Sequence, residues 1–163
     1  MKRILVITTL CILFCCTSLT AFADSSDFKV QTEYLGDGSY YETVLIQNNN
    51  SIITDTISTL SNSKTTAGSK TTYYKNSSGK VIWYVKVSGT FTYGGGTSKC
   101  TKASVTAESK DSGWKISNKS SWKKSNKAFA KATGTHYFNG IPKESFSRTV
   151  TIACSSKEKF LNL

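Results

Sequence analysis

Val81-Ile82-Trp83-Tyr84-Val85-Lys86-Val87-Ser88-Gly89-Thr90-Phe91-Thr92-Tyr93 decides the fold class. Val81, Trp83, Val85, Val87, Phe91 and Tyr93 fall on one side of an extended chain, with Tyr84, Lys86, Ser88, Thr90 and Thr92 on the other. A period of two marks a strand with one buried face. Ile82 alone is out of step. Upstream, Thr71 to Lys75 reads as a strand and Asn76-Ser77-Ser78-Gly79 as a hairpin turn. Downstream, Gly94-Gly95-Gly96 turns the chain into Lys99 to Ala107, and Trp114 and Ile116 mark a further strand. Ala128 to Phe138 follows, then the turn Asn139-Gly140-Ile141-Pro142, then Ser145 to Cys154. In that last strand Phe146, Val150, Ile152 and Cys154 share a face with Arg148, which breaks the pattern. No window forms a long amphipathic helix. Short strands with turns about every ten residues predict an all-β, antiparallel β-sandwich.

The N-terminus reads as an export signal over residues 1–23. Lys2 and Arg3 give a basic start, Ile4 to Phe14 an apolar stretch, and Ala21-Phe22-Ala23 a cleavage site before Asp24. A membrane anchor is the rival, weakened by Thr8, Thr9, Thr17, Ser18 and Thr20. Lipidation at Cys11, Cys15 or Cys16 would want a small residue before the cysteine, and Leu10, Phe14 and Cys15 stand there. Cleavage leaves two cysteines, Cys100 and Cys154, which an oxidising compartment would join as one disulfide. The bridge would close a 55-residue loop, worth about 4 kcal/mol by loop-closure entropy. Trp114 lies between them, as in the Cys…Trp…Cys spacing of immunoglobulin domains, although Ile152 stands where those carry a tyrosine. The expected architecture is therefore immunoglobulin-like.

The formal net charge is +11, unevenly spread. Between Asp24 and Ser63 one lysine, Lys29, faces six acids; from Lys64 onward 18 basic residues face four acids. The polar stretch Ser61 to Ser69 reads as the join. This predicts an acidic arm over 24–68, partly strand, and a basic β domain over 69–163. The two either pair electrostatically or leave the arm mobile.

A set of phrases resembles a family of small secreted β-rich proteins of unknown function from Gram-positive, clostridial-type bacteria. They are Thr72-Tyr73-Tyr74, Asn76-Ser77-Ser78-Gly79, Trp83, Gly89-Thr90-Phe91-Thr92-Tyr93, Cys100-Thr101, Ala103-Ser104-Val105, Trp114-Lys115, Gly140-Ile141-Pro142, Thr149-Val150-Thr151-Ile152 and Cys154-Ser155. Asp37-Gly38-Ser39-Tyr40 is similar to the arm that precedes such domains. The resemblance implies export, a β-rich domain and a cysteine pair. It brings no activity and no functional residues.

No catalytic set stands out. His136 is the only histidine and shares a face with Ala132, Gly134 and Phe138, so a packed or rim position is the simpler account. Glu108 and Asp111 flank a turn, and Asp37-Gly38-Ser39 is a turn signal rather than half a calcium loop. The expectation is a non-enzymatic chain without a cofactor or metal. The lysine-aromatic segment is the candidate site: Lys115, Lys119, Trp122, Lys123, Lys124, Lys127 and Lys131, with Phe129 among them. Ammonium groups would meet charges and rings would meet sugar faces. The bland alternative is Trp114 in the core and lysines that keep the chain soluble. Tyr40, Tyr41, Tyr73, Tyr74 and Tyr84 are a second possible stacking set, or simply strand formers. With one arginine after the signal, Arg148, specific nucleic-acid recognition is disfavoured. The chain is expected to be secreted, with no transmembrane segment after cleavage, and to bind an anionic or glycan surface, either an acidic cell-wall polymer or an extracellular polysaccharide. A cationic, bacteriocin-like membrane effector is the alternative.

Overall fold

The computed structural model describes residues 29–47 and 63–161. The proposed signal and its cleavage site lie outside them. Among the described residues, nine strands make two antiparallel sheets. The first runs in the order β1 (Lys29–Tyr34), β2 (Tyr40–Gln47), β3 (Lys64–Lys75), β4 (Val81–Gly94) and β5 (Thr97–Ser109). The second holds β6 (Trp114–Lys124), β7 (Lys127–Phe138), β8 (Ile141–Cys154) and β9 (Phe160–Leu161) in that order. Each sheet is thus a simple meander. It has none of the non-sequential neighbours that define an immunoglobulin Greek key, so the expected likeness stops at two antiparallel sheets.

The turns form where turn chemistry demands. Asn76 Oδ1 accepts the backbone N–H of Ser78 (3.2 Å) and of Lys80 (2.9 Å), and Gly79 takes φ 83°. Asn139 and Gly140 adopt φ 50° and 77°, as the two central residues of a twisted hairpin require. Asp37 Oδ1 accepts the N–H and hydroxyl of Ser39 at 3.0 and 2.6 Å, closing the β1–β2 turn. Those bonds hold its carboxyl below the usual carboxylate range.

β4 supplies the centre of the core. Trp83, Val85, Val87 and Phe91 are at most 1% exposed, each worth about 1.5–3 kcal/mol in removed apolar surface. The facing strand β7 answers with Ala128, Ala130 and Ala132, all fully buried. Large rings on one sheet need small partners on the other. At Gly134 the fit is close: a Cβ there would lie 2.6 Å from Trp83 Cε2, as short as the approach of Gly68 to Phe160 and of Gly89 to Phe91. Ile82, out of step in the sequence, is buried as well, at 7% exposure.

The stretch expected to be a linker is strand from Lys64 on. β4 is long enough to pair with all of it, Lys64 opposite Tyr93 and Gly68 opposite Gly89. The boundary at 68/69 therefore falls inside β3. The arm joins the same sheet, with Tyr41 and Leu45 of β2 in the common core. Two ion pairs tie its acids to later strands: Glu42 with Lys75 (2.6 Å) and Glu33 with Arg148.

The expected disulfide is absent. Cys100 and Cys154 are free, buried thiols. Each Sγ is turned to a nearby carbonyl, Cys100 to Lys102 at 3.2 Å and Cys154 to Ser155 at 3.3 Å. The cysteines are nonetheless neighbours of one turn, their backbone N–H groups donating to Ser125 and Asn126. Both strand positions and the inward face of Cys154 were legible in the sequence; that each Sγ turns to a carbonyl and not to the other was not. Burial raises both thiol pKa values.

Candidate ligand-binding face

On β7 the even-numbered residues from Ala128 to Gly134 face the core, and the odd-numbered ones face outward. The register then defines the outer face of the second sheet row by row. Lys124 lies opposite Lys127, and Trp122 opposite Phe129, which lies opposite Thr151. The next row is Ser120, Lys131 and Thr149, followed by Ser117, Thr133 and Ser147. Lys115, Thr135 and Ser145 end the series. Same-face rows are roughly 7 Å apart along a strand. An aromatic row thus has a lysine row on either side and a ladder of hydroxyls beyond. Thr133 and Ser147 share a hydrogen bond of 2.7 Å, as do Thr135 and Ser145.

Trp122 is 42% exposed. Its ring lies parallel to that of Phe129, with 2° between the planes and 5.1 Å between centroids. The cause is a bulge. Between the pairs Ser117–Thr133 and Ser120–Lys131, two residues of β6 face one of β7, and Asn118 takes φ 51°. One extra residue reverses which face the following side chains take. Trp114, before the bulge, points into the core. Trp122, an even number of residues later, points out.

The seven sequence-predicted residues divide accordingly. Lys115, Trp122, Lys124, Lys127 and Lys131 share the outer face. Lys119 sits in the bulge. Lys123 falls on the opposite parity, and its Nζ donates to Thr101 O on β5 at 2.8 Å. Lys115 stands over the ring of Tyr137, 4.9 Å from its centroid, at the far end from Lys124.

The other candidates are engaged by neighbouring side chains. His136 is stacked on Trp114, 5.1 Å between centroids, with Nδ1 3.3 Å from Glu144. Glu108 pairs with Lys110 at 2.8 Å and Asp111 with Lys80 at 3.0 Å. These bonds hold both carboxyls below their usual range. Among the described residues no three His, Cys, Asp or Glu side chains gather as a metal set, and no helix is long and apolar enough to cross a membrane. Of the tyrosines, Tyr41 and Tyr74 are core, whereas Tyr73 and Tyr84 pair on the outer face of the first sheet at 5.8 Å.

Sequence reasoning missed a second cationic group. Lys70 on β3 is 3% exposed and faces inward, with apolar Leu45 and Val87 as its cross-strand partners. Arg148 lies 4.4 Å from the Tyr41 ring centroid. The signal was present in Arg148, a charge on an otherwise apolar face.

No family model matches the chain, and neither a curated protein nor a solved structure matches it.

Proposed function

We propose that this chain is a secreted, non-enzymatic β-sandwich that binds an anionic glycan through the outer face of its second sheet. The observation that carries this is the exposed Trp122, stacked parallel on the half-buried Phe129 and set between lysine rows. Large apolar side chains on a surface cost solubility unless something uses them. Two further features support the reading. Lys124 and Lys127 stand directly opposite each other across the hairpin, an arrangement that repels until an anion lies between them. The exposed Ser117, Ser120, Ser145, Ser147 and Thr149 offer donors and acceptors to sugar hydroxyls, whereas Thr133 is buried.

The test is binding of the full chain to acidic polysaccharides, wall teichoic acid and anionic liposomes over a range of salt. Affinity for the glycans should fall steeply as salt rises, because exposed charges are screened. Trp122→Ala should weaken binding about tenfold. That corresponds to losing ~60 Å² of stacked apolar surface at ~25 cal/mol per Å². Its melting temperature should stay within a few degrees of the wild type. Replacing Lys124, Lys127 and Lys131 by Gln should flatten the salt dependence. Binding to liposomes alone would favour the membrane-effector alternative, and indifference to all of these ligands at low salt would refute the surface reading.

A further inference from the structure

A cleft of about 310 Å³ opens between the inner face of β1–β3 and the edge of β8. Its size is at the lower end for small-molecule sites, which run from about 300 to 1,000 Å³. The first sheet is wider than the second, so the inward faces of β1 and β2 run past β8. β9 cannot fill the gap, because it pairs only with Ala153 and Cys154.

The lining has an unusual composition for the inside of a two-sheet protein. It carries three cations, Lys70, Lys127 and Arg148, and one carboxylate, Glu33. Glu33 is engaged by Arg148. A guanidinium has five N–H donors, and this pair does not exhaust them. At the back, Thr43 and Thr72 share a buried hydrogen bond of 2.9 Å. Only one hydroxyl proton lies between two such oxygens, so the second can be donated into the cleft. Gln31, Thr149 and Thr151 add polar groups nearer the mouth. Phe129 is the one aromatic ring in the lining.

We infer that this cleft is a second binding site, and that it takes a small polyol bearing one anionic group, such as a sugar acid or a sugar phosphate. The charge of the ligand would lie among Lys70, Lys127 and Arg148, and its hydroxyls against Thr43, Thr72 and Gln31. Three cations against one carboxylate suit an anionic group better than a neutral sugar. A bare anion would leave the hydroxyl wall unused. The depth of Lys70 supports the assignment, since burial and the nearby Arg148 both disfavour its charged form and a bound anion would oppose them. The site adjoins the outer face along the β8 edge and shares Lys127, Phe129, Thr149 and Thr151 with it.

Calorimetric or NMR titration of the full chain with four probes tests this: glucuronate, glucose 1-phosphate, glucose and inorganic phosphate. The expected result is saturable binding of glucuronate or glucose 1-phosphate, at least tenfold tighter than glucose or phosphate. Which of the two binds tells a carboxylate from a phosphate ester. Lys70→Met, close in volume and suited to its buried position, should lose that binding tenfold or more, whereas the exposed Lys157→Gln should not change it. Glu33→Gln should tighten it several-fold, because the competing carboxylate on Arg148 is gone; a purely structural Glu33–Arg148 pair predicts no gain. If neither sugar anion binds, if phosphate alone binds as well as glucose 1-phosphate, or if Glu33→Gln weakens binding, the inference is wrong.

Discussion

Gly134→Ala tests the packing that holds the two sheets together. Gly134 faces the core from β7, and a Cβ built on it lies 2.6 Å from Trp83 Cε2, 2.8 Å from Nε1 and 2.9 Å from Cδ2. Carbon atoms in contact prefer about 3.5–4.0 Å, so the indole would have to retreat by roughly 1 Å. It has nowhere to go. Trp83 is 1% exposed and its neighbours along the strand, Val85 and Val87, are fully buried. Overpacking of this kind costs ~1–3 kcal/mol, and the short contact argues for the upper end. Against it stands a gain of ~0.4–1 kcal/mol from the smaller entropy of the unfolded alanine chain. The net loss should be about 2 kcal/mol, which lowers the melting temperature by ~4–8 °C for a chain of this size. Gly36→Ala is the control, because no atom lies within 4 Å of its Cβ and its φ is unstrained; it should be neutral or slightly stabilising. Trp83→Phe should then relieve the clash in the double variant. It also removes Nε1, a buried donor with no partner among the described residues, so its own cost should be smaller than the lost area implies. Urea melts of the four proteins give the coupling directly. Gly134→Ala within 0.5 kcal/mol of wild type, or strict additivity with Trp83→Phe, would refute the account.

Two further expectations concern titrating groups. Burial pushes the Tyr41 hydroxyl up to about 12, so the unfolded chain ionises first on the alkaline side; stability is whole below about pH 10 and is lost as pH rises toward 12. Spectrophotometric titration should show a tyrosine ionising late and together with unfolding, and a Tyr41→Phe variant should lose part of that alkaline sensitivity. Cys100 and Cys154 should resist a thiol reagent in the native protein and react as two equivalents in denaturant, because both are buried and hard to ionise; no reactive thiol in denaturant would mean that the two are bridged in solution.

The strands were legible because β4 repeats every second residue with Ile82 as the single exception, and its neighbours inherit their register from it. The turns were legible because Asn76, Gly79, Asn139 and Gly140 are there for backbone reasons that act over four residues. The extent of β3 was hidden. Thr65 to Ser69 looks like a linker by composition, and only the length of β4 beside it makes it a strand. The Arg148 anomaly was visible as a flaw in an apolar face. Its explanation needed Glu33, 115 residues earlier, and no periodicity spans that distance.

The outer face shows most clearly where period-two reasoning fails. Counting from Trp114, known to point inward, alternation places Ile116, Asn118, Ser120 and Trp122 in the core and Lys115, Lys119 and Lys123 together outside. The bulge at Asn118 and Lys119 reverses that count. Beyond it Ser120, Trp122 and Lys124 are outside, and Lys123 turns toward β5. A bulge carries a weak sequence mark, here an asparagine able to take positive φ. Its consequence is large, because every later residue of the strand changes face. Without it Trp122 would be one more core ring, and the lysines around it only a solvated surface. The extra residue therefore separates the two readings of this segment, and it acts through backbone geometry rather than through any of the side chains that would touch a ligand.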